Sequence, residues 1–186
     1  MEKETRKNFS KNGFSLIETL VALSILSIAL IGPMSLATNS ISNAMISHNQ
    51  LVAFYLAQEA MEFVINFRDS NYDDGSSSWL SSLNNCISQN GCYVDVVHNT
   101  IDEASLSSPS PLIYSYNSVD EYGYYNHNSL VGDNTIFYRT VKITNPVYYS
   151  ENPESNEAKV EVKVWWDDKM GLKEITLEEN IFNWNQ

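Results

Sequence analysis

The sequence predicts an α+β chain: one long N-terminal α-helix, apolar in its first half, followed by an antiparallel β-sheet. Three observations predict it. Residues 14–37 hold a single charge, Glu18. Val52, Leu56, Ala60, Phe63 and Phe67 recur at helical spacing. Between Ala158 and Trp166, Val160, Val162, Val164 and Trp166 alternate with Lys159, Glu161, Lys163 and Trp165, the period of a strand.

The apolar run exceeds the roughly 20 residues that span a hydrocarbon core. Lys3, Arg6, Lys7 and Lys11 precede it, and no Lys or Arg follows until Arg68. The positive-inside rule then places the N-terminus in the cytoplasm and the rest of the chain outside. Gly32-Pro33 interrupts the run, and Pro lacks an N–H donor and kinks or melts a helix locally. A carboxylate in such a segment is costly, about 2.5–3.5 kcal/mol at a bilayer centre and less near the interface. Glu18 is therefore a candidate functional residue. Its natural partner is an α-amine at Phe14, created if the chain is cut after Gly13. The competing reading of Glu18 is a carboxylate exposed to lipid headgroups.

The residues Lys11-Asn12-Gly13 and Phe14-Ser15-Leu16-Ile17-Glu18-Thr19-Leu20-Val21-Ala22-Leu23 resemble the N-terminal signal of type IV prepilins and type II secretion pseudopilins. The resemblance implies prepilin-peptidase cleavage between Gly13 and Phe14, N-methylation of Phe14, and Glu18 as the assembly residue that pairs with a neighbour's N-terminal amine. It implies a pilin-like fold, with no cofactor and no catalysis by this chain. The implied partners are other pilin or pseudopilin subunits, the prepilin peptidase, an inner-membrane assembly platform and the lipid bilayer. The implied place is a single-pass membrane protein, later part of a pilus or pseudopilus at the cell envelope or surface. Phe137-Tyr138-Arg139-Thr140-Val141, Val160 to Trp166 and Ile181-Phe182-Asn183-Trp184 are similar to minor pilins and the minor pseudopilin I kind, which favours a minor subunit. The organisation expected is a cleaved leader over 1–13, a transmembrane and assembly half of the helix over 14–37, an amphipathic half over 38–68, and an extracytoplasmic β-rich domain over 69–186. A second reading remains: the basic start, apolar core and Ser35-Leu36-Ala37 also describe an ordinary secretory signal, cut after Ala37 to release a soluble binding or adhesive domain.

A helix from Phe14 to Phe67 would be about 80 Å long. In the amphipathic half, Ser47, Asn49, Gln50, Glu59, Glu62 and Asn66 fall between the apolar positions, so the stripe should bury against strands of the same chain. Residues 69–91 read as a loop. Its Asp69-Ser70-Asn71-Tyr72-Asp73-Asp74-Gly75 looks like a calcium loop but holds Asp74 and Leu80 where an EF-hand needs Gly and Glu. Solvation is the better account, and no metal site is expected. Cys86 and Cys92 are the two cysteines, flanking an Asn90-Gly91 turn signal. A disulfide is the simplest reading outside the cytoplasm, with two free thiols the alternative.

Strands are expected at Tyr93–Val97, Leu112–Tyr116, Phe137–Thr144, Ala158–Trp166 and Lys173–Glu179, with Asp167–Gly171 as a hairpin loop. In Phe137–Thr144, Phe137, Val141 and Ile143 fall on one face. The remainder of 104–135 reads as loop. Eight of the 11 tyrosines lie between Tyr114 and Tyr149, suiting either a contact surface or the packing of an irregular loop.

Composition narrows the function. The 186 residues are 43% hydrophobic and 18% charged, with a formal charge of −12. Without residues 1–13, 7 basic and 21 acidic residues remain, and 7 − 21 = −14. An acidic body argues against a general nucleic-acid surface. The chain has no phosphate loop, no Gly-x-Ser-x-Gly and no His-Glu-x-x-His, and His48, His98 and His127 are scattered.

Overall fold

The computed structural model describes residues 13–73, 79–105, 107–117, 122–127, 132–144, 156–169 and 171–183. The chain divides into two compact units, Met1–Met45 and Ile46–Gln186. A single helix, α1 (Leu16–Asp73), begins in the first and ends in the second.

In the first unit α1 starts at Leu16, two residues later than expected, because Ser15 caps it. The Ser15 carbonyl accepts the N–H groups of Glu18 (3.1 Å) and Thr19 (3.2 Å). The Ser15 Oγ also accepts the Glu18 N–H (3.3 Å). That is the N-cap arrangement, which satisfies a helix-start donor. Every described side chain from Phe14 to Met45 is exposed.

In the second unit α1 packs its stripe as expected. Leu56, Ala60 and Phe63 are buried, with Val52 and Phe67 at the margin. The helix continues past the expected end to Asp73. Buried Asn71 holds the extra turn, its Nδ2 donating to the Trp79 carbonyl (3.1 Å) and its Oδ1 accepting from Ser82 Oγ (2.8 Å). The stretch expected as loop also contains a 3-10 turn (Ser81–Leu83) and a one-turn helix, α2 (Asn84–Ile87). Asp69 of the calcium-like stretch is paired to Arg68 at 2.8 Å, and Asp74 and Gly75 lie outside the described residues.

The sheet has seven strands: β1 (Cys92–Asp95), β2 (Thr100–Glu103), β3 (Pro111–Asn117), β4 (Tyr122–Asn126), β5 (Asp133–Thr144), β6 (Glu157–Asp168) and β7 (Gly171–Phe182). All pairings are antiparallel. β5 is the hub: β1 and β3 pair along one side of it and β6 along the other, with β2, β4 and β7 outermost. The α+β class stands, with more strands than expected. β2 and β4 correct the loop reading of 104–135 and the gap before it. Neither strand shows clean alternation, since Tyr-Gly-Tyr-Tyr-Asn and Thr-Ile-Asp-Glu take their conformation from the neighbour strand. Asp168 pairs with Gly171 across a two-residue connection, and Gly171 takes φ +99°, a conformation suited to glycine.

The core lies where α1 meets the inward face of the sheet. Val160, Val162, Val164 and Trp166 of β6 and Val141 and Ile143 of β5 form one buried cluster with Ala53, Leu56, Ala57, Ala60 and Val64. Cys86 of α2 and Cys92 of β1 are joined as a disulfide, Cα atoms 4.5 Å apart. Gly91 turns the chain into β1 at φ +77°, its carbonyl accepting the Ala104 N–H (3.0 Å). A Cβ there would run into the Val141 carbonyl. Among the tyrosines, Tyr114 and Tyr125 meet edge to face across β3 and β4, and Tyr138 of β5 stacks on Trp165 of β6. These contacts are intramolecular packing; Tyr148 and Tyr149 lie outside the described residues.

Candidate functional site

Two places carry chemistry, one in each unit. The first is the head of α1. Gly13 precedes the helix with open space where a side chain would be, and Phe14 is 77% exposed. Among the described residues nothing crowds the bond between them. Glu18 lies in the first turn, near the positive end of the helix dipole. With Ser15 as the cap, Glu18 is the third helical residue, so Ser15-Leu16-Ile17-Glu18 has the spacing of a capping box. Ser15 Oγ supplies one half of that box by accepting the Glu18 N–H, and the spacing puts Glu18 at the position that can supply the other.

The segment that follows suits lipid. Thr19 Oγ1 donates to the Leu16 carbonyl (2.8 Å), Ser24 Oγ to Leu20 (2.9 Å) and Ser27 Oγ to Leu23 (2.8 Å). Each hydroxyl is satisfied by its own helix, as a medium without water requires. Leu16, Ile17, Leu20, Val21, Leu23, Ile25, Leu26 and Ile28 all expose more than half of their surface. Covering one such side chain is worth about 1.5–3 kcal/mol, so a bare segment in water would be strongly unfavourable. α1 is long and apolar enough to cross a membrane. Pro33 remains inside the helix; lacking an N–H, it leaves the Ala29 carbonyl without its usual donor.

Residues 8–32 match the family model of the prokaryotic N-terminal methylation motif. The chain carries that motif. Gly13, Phe14 and Glu18 all lie inside the match, which supports the resemblance to type IV prepilins and pseudopilins seen in the sequence. It covers the head of the chain and leaves the β-rich unit unmatched. No curated protein and no solved structure matches the chain.

The second place is a buried polar cluster beneath the sheet. Arg139 is fully buried. It occupies the inward face of β5 with Phe137, Val141 and Ile143, where the sequence reading passed over it. Its Nη1 donates to Glu59 Oε2 (2.6 Å) and to the Leu56 carbonyl (2.9 Å), and its Nη2 donates to the Val94 carbonyl (2.9 Å). One guanidinium thus ties α1, β1 and β5 together. Burial lowers its pKa, while Glu59 and Asp95 oppose that shift; arginine remains charged throughout the working range. Glu59, expected only as a polar position between the apolar ones, is this cation's counter-ion.

Asp95 closes the turn after β1. Its Oδ1 accepts the N–H groups of Val97 (3.1 Å) and His98 (3.0 Å), and its Oδ2 accepts that of His127 (3.0 Å) and contacts His98 Nδ1 (3.0 Å). Burial works to raise its pKa, but these hydrogen bonds outweigh it and hold the carboxyl below the ordinary value. His127 follows β4, with its ring 5.0 Å from that of Tyr93. Burial, helped by the Arg139 charge and opposed by Asp95, lowers its pKa to about 4. Two of the three histidines that looked scattered therefore converge on Asp95.

A histidine whose folded pKa lies below its unfolded value binds fewer protons folded than unfolded between the two. Stability should then fall as pH drops from about 6.5 toward 4, by about 3 kcal/mol in total. Above pH 6.5 the term vanishes. Urea titrations of the full chain in detergent, followed by tryptophan fluorescence, should show that slope. His127→Phe should flatten it, and an unchanged slope in that variant would assign it elsewhere. The cluster offers no nucleophile with a base, and no group of His, Cys, Asp and Glu among the described residues could hold a metal ion. Its evident work is to fix α1 to the sheet.

Proposed function

We propose that this chain is a structural subunit, most consistent with a minor one, of a type IV pilus or a type II secretion-like pseudopilus. Prepilin peptidase cuts after Gly13 and methylates the new N-terminus at Phe14. The apolar helix then holds the subunit in the inner membrane with its β-rich unit outside, and assembly proceeds through that helix on a membrane platform. Glu18 pairs with the Phe14 amine of a neighbouring subunit. The role is structural, and the chain is the substrate of its peptidase. The observation that carries this reading is the methylation motif over 8–32, with Gly13 and Phe14 at its basic-to-apolar junction and Glu18 inside the apolar run. The free, capped helix head and the uncovered apolar surface behind it support it.

Intact mass of protein extracted from membranes tests it. The expected species lacks residues 1–13 and carries one added methyl group. A chain beginning at Thr38 would mean release by ordinary signal peptidase, and a chain retaining residues 1–13 would mean no processing. Either would overturn the proposal.

A further inference from the structure

β7 (Gly171–Phe182) is registered against β6 along its whole length, from Asp168↔Gly171 to Glu157↔Phe182. It pairs with no other strand among the described residues. Its second edge therefore presents N–H and C=O groups that lack a ladder partner among the described residues, a surface that folded proteins usually guard. The register shows which side chains face the core. Ile175 and Leu177 lie opposite buried Val164 and Val162. Lys173 and Glu179 lie opposite Trp166 and Val160, on the same face. Ile175 and Leu177 are only partly covered, and Glu179 is exposed. Lys173 and Glu179 form none of the ion pairs found among the described residues.

One inward charge on an edge strand deters pairing. Two opposite inward charges, three residues to either side of Thr176, are instead complementary to a rotated copy of themselves. We propose that β7 is a self-docking edge. A second copy of this chain adds its own β7 antiparallel, about a two-fold axis through Thr176. Lys173 of each copy then meets Glu179 of the other, and Ile175 meets Leu177.

Backbone geometry restricts the register. N–H and C=O groups alternate between the two sides of a strand. Residues directly opposite across a shared edge either both point toward it or both point away, so in a self-pairing the two have the same parity and the axis passes through a residue and not between two. An axis at Ile175 would set Lys173 against Leu177, and one at Leu177 would set Glu179 against Ile175. Only the axis at Thr176 matches charge with opposite charge and apolar with apolar. It places Glu174 opposite Glu178 on the outer face, but each carries its own cation: Lys163 Nζ is 2.6 Å from Glu174 and Lys159 Nζ is 2.8 Å from Glu178. The contact is isologous and closes on itself, so it ends with two copies. It stands whether or not the chain is a filament subunit.

The test uses the full chain in detergent micelles, where Cys86 and Cys92 are already joined. Under mild oxidation Thr176→Cys should give a disulfide-linked dimer, while Glu174→Cys, opposite Glu178 in this register, should not. In the Thr176→Cys background, Lys173→Glu or Glu179→Lys should each cut dimer yield about fivefold or more, the scale of two cross-strand ion pairs lost per dimer. Combining the two reversals should restore it. Lys173 and Glu179 are about 20 Å apart along one strand, so restoration can only report contact between copies. Absence of the Thr176→Cys dimer, a link to a different protein instead, or a double reversal as weak as the single ones would overturn the proposal.

Discussion

Glu59→Leu should destabilise the β-rich unit by about 3 kcal/mol or more, the scale for removing one partner of a buried ion pair. The asymmetry of the pair sets the ranking. The Arg139 side chain is 0% exposed and that of Glu59 is 37% exposed. Without Glu59, a cation is stranded in the core with only the Leu56 and Val94 carbonyls to bond. Without Arg139, Glu59 can turn to water, so Arg139→Met should cost less, about 2 kcal/mol, mostly from those two carbonyls and lost packing. The double variant should be more stable than the sum of the single losses predicts, because an apolar pair can replace a buried ionic one. Urea midpoints of the four proteins at pH 7 in detergent decide it. A Glu59→Leu protein as stable as the parent would show that the pair is incidental. Equal single losses that simply add would show that the two side chains act independently.

The pair also shows where sequence reading stops. Long-period features were legible: the apolar head, the helical stripe through Leu56 and Ala60, the alternation along β6, and the Gly13–Glu18 junction. The first three repeat along the chain and the last is one contiguous stretch, so each is visible locally. Alternation sets Arg139 on the inward face with Phe137 and Val141, but a charge there has no local rationale until a counter-ion 80 residues away is seen beside it. β2 and β4 were missed for a related reason. Thr-Ile-Asp-Glu and Tyr-Gly-Tyr-Tyr-Asn are strands because β1 and β3 offer them a ladder, and propensity is silent about partners. Ser15 is a different case: the Ser-x-x-Glu spacing is present in the sequence, but the same Glu18 stands out first as the one charge in an apolar run.

That spacing sharpens the second large prediction. Glu18→Val should insert into the membrane normally, or slightly better, since it removes a charge that costs up to about 3 kcal/mol in a bilayer core. Its incorporation into sheared filaments should nevertheless fall on the order of 100-fold, the equivalent of about 3 kcal/mol for breaking a poorly solvated ion pair. Val removes two things at once: the negative charge proposed to meet a neighbour's Phe14 amine, and a side chain whose spacing from Ser15 is that of a capping box. Glu18→Gln separates them, because Gln also serves at the third position of that box and carries no charge. Under the ionic mechanism Gln should fail to assemble almost as completely as Val, with the helix head intact by hydrogen exchange at Glu18 and Thr19. If Gln assembled normally while Val did not, the residue would act by shaping its own helix start, and attraction between subunits would have to come from the apolar surface alone.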